Sequence, residues 1–550
     1  MIRVLIACLL VASAAAQGGG VTFHRLNLAD EARHGIFSED LDGDGRRDII
    51  GLALGRISIF RADPKQDSGY AALPEVLVTG SRAYFADVAG VLADKGKEIL
   101  ILAPDGVWCF VHKNGRYDPE PRPLLQCDTV LSTTTLRGGI AATVGANVPV
   151  LPWNFALDLN GDGLDDILVP HGKGTDIYLQ KRLREFAKPI TIEMLFPLVP
   201  WPFAIDFNGD GLDDILVPHG KGTDIYLQRK FAEPITIGMF PLVYHLASPE
   251  HQADELHSRK LRSIRLEVVV PAVEARDVNG DRKPDIVCGG YWFAQKPDGT
   301  FDPVPAALPR EQLPPTHPYD RRVDINGDGT KDRFLEENSV DDPLNILTRA
   351  RVFLADKGGE PPPEPTQVIV DQNTLIHTVL PLHDFDKDGA LDFAMFKTNI
   401  SATDIANWFR LNMGKIDGDL NFYLFDRAKN RYPRRPAFVK AIRMRFKVDL
   451  MEAMMGKVWE NYLGTMMRFE GDYNGDGLLD LLVREETNRI ALYFNTGDRR
   501  TLYPDEPSIN LEGVPSFDGL GLSDLNGDGA DDLILYKNNQ VLAVYLSRRQ

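Results

Sequence analysis

The chain has 550 residues, 43% hydrophobic and 25% charged, with 61 Lys and Arg against 79 Asp and Glu for a formal net charge of −18. That length exceeds what one compact core sustains, and the composition excludes a disordered chain, so several domains or one large repeat assembly is expected. Four cysteines in so long a chain exclude a scaffold built on disulfides, and neither a nucleic-acid partner nor a membrane span is expected.

Residues 1–16, MIRVLIACLLVASAAA, place Arg3 before an apolar run and a small-residue tract, the layout of a secretory signal peptide with cleavage after Ala16. Residues 17–550 are then expected to be exported, to the periplasm or beyond the cell. Export makes Cys109, Cys127 and Cys288 eligible for a bridge, and Cys109 with Cys127 closes the shortest loop. The stretch VTFHRLNL, 21 to 28, precedes the first repeat's own leading strand, so it is free to pair with the last repeat.

An acidic motif D-x-[DN]-x-D then recurs in eight copies. Its first position holds Asp40, Asp158, Asp206, Asp277, Asp324, Asp384, Asp472 and Asp524. Its third holds Asp42, Asn160, Asn208, Asn279, Asn326, Asp386, Asn474 and Asn526, and its fifth Asp44, Asp162, Asp210, Asp281, Asp328, Asp388, Asp476 and Asp528. A further carboxylate stands at position 9: Asp48, Asp166, Asp214, Asp285, Asp332, Asp392, Asp480 and Asp532. A ninth copy, around Asp87 in FADVAGVLADKGKEIL, has lost its ligands. Oxygen at alternate positions, with glycine usually at 4 and 6, suits Ca²⁺, which takes six to eight oxygens at ~2.3–2.6 Å from a tightly turned loop. The backbone carbonyl of position 7, Leu164 in the second copy, is expected to complete the set. Eight divalent ions would cancel most of the formal charge of −18, so several structural calcium ions are the expected cofactor. The same residues also suit a metal-free Asx turn, above all in the copy where Arg282 replaces the second glycine.

An EF-hand begins the same way but ends on Glu at position 12 and lies between helices. Here position 12 is Gly51, Val169, Val217, Cys288, Leu335, Met395, Val483 or Leu535, and short β-type runs such as DILVP and DLLVRE follow position 9. A turn and an alternating run such as TDIYLQ or RIALYF come next. Each unit therefore reads strand, acidic loop, strand, turn, strand, often with a fourth strand. The expected fold is all-β, a β-propeller of four-stranded antiparallel blades, with eight blades expected within a range of seven to nine. Residues 158–180 return at 206–228 with one change, Leu159 to Phe207, the signature of a late internal duplication and equally of an artefact of gene assembly.

These loops and strands resemble the FG-GAP/VCBS repeat family, which includes the integrin alpha-subunit propeller and many secreted bacterial proteins. The integrin-type GAP after the second strand is missing, with VPHGKG and REETNR in its place, while LYFNTGDRRTLYP, 492 to 504, is more similar to the VCBS version. The resemblance covers nearly all of 17–550, with an insertion at about 402–466 that includes DLMEAMMGKVWENYL, read as a short amphipathic helix.

Two groups are candidates for ligand binding. The HGKG turns, with His171, Lys173, His219 and Lys221, fall at the strand ends opposite the acidic loops, joined by Tyr291 and Trp292. The stretch 427–447, RAKNRYPRRPAFVKAIRMRFK, has nine Lys or Arg and no acid; Arg431, Arg434 and Arg435 offer forks for carboxylate or sulfate, with Tyr432 or Phe438 available to stack. His245, His251 and His257, at six-residue steps, fit neither a helical face nor a strand pair and read as a loop. The expected function is a secreted, calcium-binding, non-catalytic binding or adhesion module for an extracellular glycan or protein. The resemblance leaves open a carbohydrate-active enzyme of the polysaccharide lyase or sugar dehydratase type, although no nucleophile paired with a base is visible.

Overall fold

The computed structural model describes residues 16–550 apart from 29–31, 80–84, 93–95, 130–150, 194–203, 207–213, 228–234, 238–242, 247–265, 270–272, 309–318, 340–345, 373–380, 448–465 and gaps of one or two residues. It comprises two compact units, one of residues 31–60 with 74–314, the other of 1–30, 61–73 and 315–550. The fold is all-β and of the β-propeller type.

The element that recurs is an antiparallel meander of four strands, consecutive in sequence and adjacent in space. In the first it runs Gly35–Glu39, Asp48–Ala53, Arg56–Phe60 and Glu75–Val78, with the acidic loop joining its first two strands. Register follows from the loop. Position 9 is the first residue of the second strand and pairs with the residue just before position 1: Asp48 with Glu39, Asp332 with Val323, Asp532 with Ser523.

The second strands are buried on both faces, which explains their continuous apolar runs. In Glu98–Ala103, Ile99 and Ile101 pack against Ile50, Leu52 and Ile59 of the preceding sheet. Leu100 and Leu102 point the other way, against Phe155, Ile167 and Val169 of the following one. The other unit repeats the arrangement, with Leu481 and Val483 in one core and Leu482 in the next. Each such side chain contributes about 1.5–3 kcal/mol by burial, and only when neighbouring sheets cover both faces.

The stretch 21–28 behaves as its position in the sequence predicts. Strand Val21–Leu26 pairs antiparallel with Gln540–Arg549, Val21 opposite Arg549 and Leu26 opposite Val544, as the fourth strand of the last meander, with Ala16–Gly18 pairing on its other side. Phe23 is fully buried there, in a core with Leu533, Leu535 and Tyr545.

Three expectations need correction. The blade count of eight is not matched: among the described residues, the unit of 31–60 and 74–314 holds five four-stranded meanders and the other unit four. The ninth unit, whose loop has lost its ligands, forms a full sheet of its own, and that loop runs from Gly90 to Glu98, because Ala89 pairs with Glu98 as Glu39 pairs with Asp48. Asp87 lies instead within strand Phe85–Ala89.

Cys109 and Cys127 are not joined by a disulfide. Arg122 stands opposite Cys109 and Gln126 opposite Gly106, which carries Cys127 past the far end of the pair, beyond the ~7 Å that a disulfide spans between Cα atoms. Burial pushes the Cys109 thiol up to about 11.

Within the expected insertion, a helix, Ala402–Leu411, is closed by a Ser401–Asp404 capping box and by Asn412 in the left-handed region at φ 52°. Trp408 anchors it on Phe446, ring centroids 5.5 Å apart. The helix precedes two long strands, Met413–Tyr423 and Phe438–Lys447. The run 449–463, which the sequence reads as helical, lies outside the described residues.

Candidate metal centres

The position-1 aspartate organises each loop. Asp158 accepts the N–H groups of Gly161 at 2.8 Å, Asp162 at 3.1 Å and Gly163 at 2.8 Å, and Asp40, Asp277, Asp324, Asp472 and Asp524 do the same in their loops. Position 3 then accepts from position 5, and position 5 from position 7, as in Asp162 to Asn160 at 2.9 Å and Leu164 to Asp162 at 2.9 Å. Wrapping the chain around one carboxylate forces positions 4 and 6 to positive φ, 70° at Gly161 and 83° at Gly163. Arg282 (φ 69°) and Lys387 (φ 54°) adopt the same conformation without being glycine.

Position 9 has a distinct role. The side chains of Asp166, Asp285, Asp332, Asp392, Asp480 and Asp532 are buried, and each holds two segments of backbone. One Asp480 oxygen accepts from Tyr473 N–H at 2.8 Å, inside the loop, and the other from Asn495 N–H at 2.8 Å, past the third strand. The same pair of bonds links Asp392 to Phe385 and Phe425, and Asp332 to Ile325 and Ala355. Burial pushes Asp166 and Asp532 up to about 7 and Asp392 and Asp480 up to about 8, against the backbone N–H bonds that favour the charged form. In the loop without ligands Glu98 takes this place, accepting from Val91 and Leu92 N–H at 3.1 Å each. The loop half of the clamp therefore persists where the metal-type ligands are gone, these two Glu98 bonds going to neighbouring N–H groups of its own loop. Main-chain bonds also tie successive loops, from Lys97 N–H to the Leu41 carbonyl at 2.9 Å and from Leu391 N–H to that of Ile325 at 2.7 Å.

Three carboxylates converge in two described loops. Asp40, Asp42 and Asp44 offer oxygens all within 4.8 Å of one another, as do Asp384, Asp386 and Asp388. These are the loops with Asp at position 3. In two loops with Asn there, its amide donates to the position-5 carboxylate, from Asn474 to Asp476 at 2.9 Å and from Asn326 to Asp328 at 3.1 Å, while that of Asn526 donates to the Ser547 carbonyl. The donor chemistry of positions 1, 3 and 5 fits a hard divalent cation such as Ca²⁺, while the position-9 oxygens already accept backbone N–H groups. Asp206 and Asp214 are described, whereas Asn208 and Asp210 lie outside the described residues. At the 384 loop, Nη1 of Arg499 lies 2.8 Å from Asp388 Oδ2 and 3.1 Å from Asp386 Oδ2.

The candidate ligand groups divide. His171 faces Asp176, Nε2 to Oδ1 3.3 Å, within its own hairpin. Lys173 and Lys221 lie outside the described residues, as do His251, His257 and the side chain of His219. Tyr432 does not offer a stacking surface: it is fully buried, donates to the Leu391 carbonyl at 2.6 Å and packs edge-on to Phe393 and Phe425. Lys440 is buried too, its ammonium donating to the Asp505 carbonyl at 2.6 Å and lying 4.1 Å from the Tyr493 ring centroid. Arg445 pairs with Asp417 at 2.7 Å. Arg431, Arg434 and Arg435 remain exposed together on the loop between the two long strands.

Residues 158–217 and 472–546 match a family model described as an FG-GAP-like repeat, and the chain thus carries FG-GAP-like repeats, two acidic loops in each stretch. No curated protein matches the chain. Among solved structures it is similar to an Agrocybe aegerita lectin that recognises non-reducing terminal N-acetylglucosamine, at 13% identity over 93% of this chain and 98% of that chain, TM-score 0.28. It is also similar to the V. cholerae biofilm matrix protein Bap1, at 13% identity over 94% of this chain and 76% of that chain, TM-score 0.22. Likenesses of this size bear on neither ligand nor activity here. No described helix is long and apolar enough to cross a membrane.

Proposed function

We propose that this protein is a secreted, calcium-stabilised propeller that works as a non-catalytic binding module, with residues 1–16 as its signal peptide and an anionic extracellular glycan or an acidic protein segment as its ligand. The observation that carries the calcium part is the convergence of Asp40, Asp42 and Asp44 within 4.8 Å on a loop already shaped by its own hydrogen bonds. Calcium supplies a divalent charge that offsets the mutual repulsion of such carboxylates. Positions 1, 3 and 5 hold it, and the position-9 clamp fixes the loop to its sheet. Affinities of ~10⁻⁴ to 10⁻³ M, as in other extracellular modules, suffice outside the cell.

Binding is proposed for the loop that presents Arg431, Arg434 and Arg435, where three exposed guanidiniums stand together on a chain of net charge −18. The test is binding to sulfated and uronic-acid polysaccharides, in saturating calcium, by the parent and by the combined Arg431→Ala, Arg434→Ala, Arg435→Ala variant. The parent should bind, more weakly as salt rises, and the variant should lose most of that binding. Equal binding by the two at every salt concentration would place the ligand elsewhere.

A further inference from the structure

We propose that the 384–392 loop carries its own cation: the Arg499 guanidinium stands where the other loops would hold calcium, so this loop closes without a metal ion. The proposal rests on the calcium reading for the remaining loops. Asp386 and Asp42 are the two described position-3 residues that add a third carboxylate to the cluster, and their surroundings differ. At Asp42 the cation in reach of the cluster is Arg46, which comes from the same loop, pairs with Asp44 and keeps 53% of its side chain exposed. At Asp386 the side chain is only 2% exposed, so its charge has little water to lean on and depends on a partner.

Arg499 supplies that partner from a distant part of the chain. Its Nη1 contacts Asp388 Oδ2 at 2.8 Å and Asp386 Oδ2 at 3.1 Å, and its Nη2 donates to the Phe425 carbonyl at 2.7 Å. Calcium at ~2.3–2.6 Å from these oxygens and a guanidinium nitrogen at hydrogen-bond distance from them exclude each other. A second cation belongs to the same loop: Lys387 stands at position 4, where the other loops have glycine, and its Nζ lies 3.3 Å from the Asp476 carbonyl of the next acidic loop. Arg499 follows strand Arg489–Tyr493 of the next meander, so the pairing also ties two successive meanders, which a calcium ion held within one loop would not do.

Calcium titration calorimetry on the whole protein separates the loops, using the parent, Asp44→Asn, Asp388→Asn and Arg499→Gln. Asp44→Asn should bind one calcium fewer than the parent, Asp388→Asn as many as the parent, and Arg499→Gln one more. In EDTA, Arg499→Gln should melt below the parent, with Arg499→Lys in between, and calcium should restore Arg499→Gln. Loss of one calcium in Asp388→Asn, or an unchanged count in Arg499→Gln, overturns the proposal. If the parent binds no calcium at all, the calcium reading fails on its own, and the EDTA comparison still decides: a lower melting temperature for Arg499→Gln supports the guanidinium as the loop's cation, and an unchanged one removes it.

Discussion

Glu98→Ala isolates the position-9 clamp from any metal, because its loop has Gly90 and Leu92 where ligands stand elsewhere. The Glu98 side chain is fully buried, and one carboxylate oxygen accepts both Val91 and Leu92 N–H at 3.1 Å. Alanine removes that acceptor and strands two N–H groups, that of Val91 buried and that of Leu92 partly buried. A stranded buried donor costs about 1–3 kcal/mol, so the pair should cost about 2–6 kcal/mol, before any cavity left by the lost methylenes. Urea unfolding of parent and variant measures this, each with calcium and with EDTA. The expected outcome is a drop in midpoint of the same size in both conditions. A loss below about 1 kcal/mol, or one that appears only with calcium present, would refute the clamp as a metal-independent part of the sheet.

Two further outcomes follow from the same packing. Phe23→Ala should destabilise the last meander by about 3–5 kcal/mol, because Phe23 is fully buried on the strand that completes that sheet; a loss under 1 kcal/mol would mean that the strand is not needed there. Asp87, whose carboxyl accepts the Phe155 and Ala156 N–H groups at 2.7 and 2.8 Å, is pushed up to about 6 by burial. Its folded state therefore holds the proton more tightly than the unfolded chain, so the penalty for its charge is present above about pH 6 and is relieved as pH falls toward about 4. Relative to Asp87→Asn, the parent should gain stability over that interval, and a pH-independent difference between the two would contradict the assignment.

The sequence made the repeat legible because each unit encodes it locally: a turn of Asp, Asn and Gly at fixed offsets, followed by a two-faced apolar strand. It also placed strand Val21–Leu26 correctly, since that strand had no sheet of its own. What escaped lies in contacts between distant segments. The ninth unit was recognised, but its loop was centred on Asp87, which lies in strand Phe85–Ala89, because the acidic signature is lost; Glu98, eight residues beyond Gly90, was the available clue to the true loop. The position-9 carboxylate was read as a ligand; in addition, both Asp480 oxygens accept backbone N–H groups that no local pattern reveals. Nor does the basic run 427–447 show which of its cations are free: Lys440 turns inward onto Tyr493 while Arg434 and Arg435 stay exposed. Arg499, more than a hundred residues from Asp386, is likewise visible only once the sheets are stacked.

The most direct measurement is thermal melting of the whole protein with calcium and after EDTA treatment, alongside elemental analysis of the untreated sample. Metal bound to the native state alone adds stability by mass action, so the account predicts bound calcium, a clearly lower melting temperature in EDTA and recovery on adding calcium back. A sample without calcium whose melting temperature is unmoved by either treatment would contradict it.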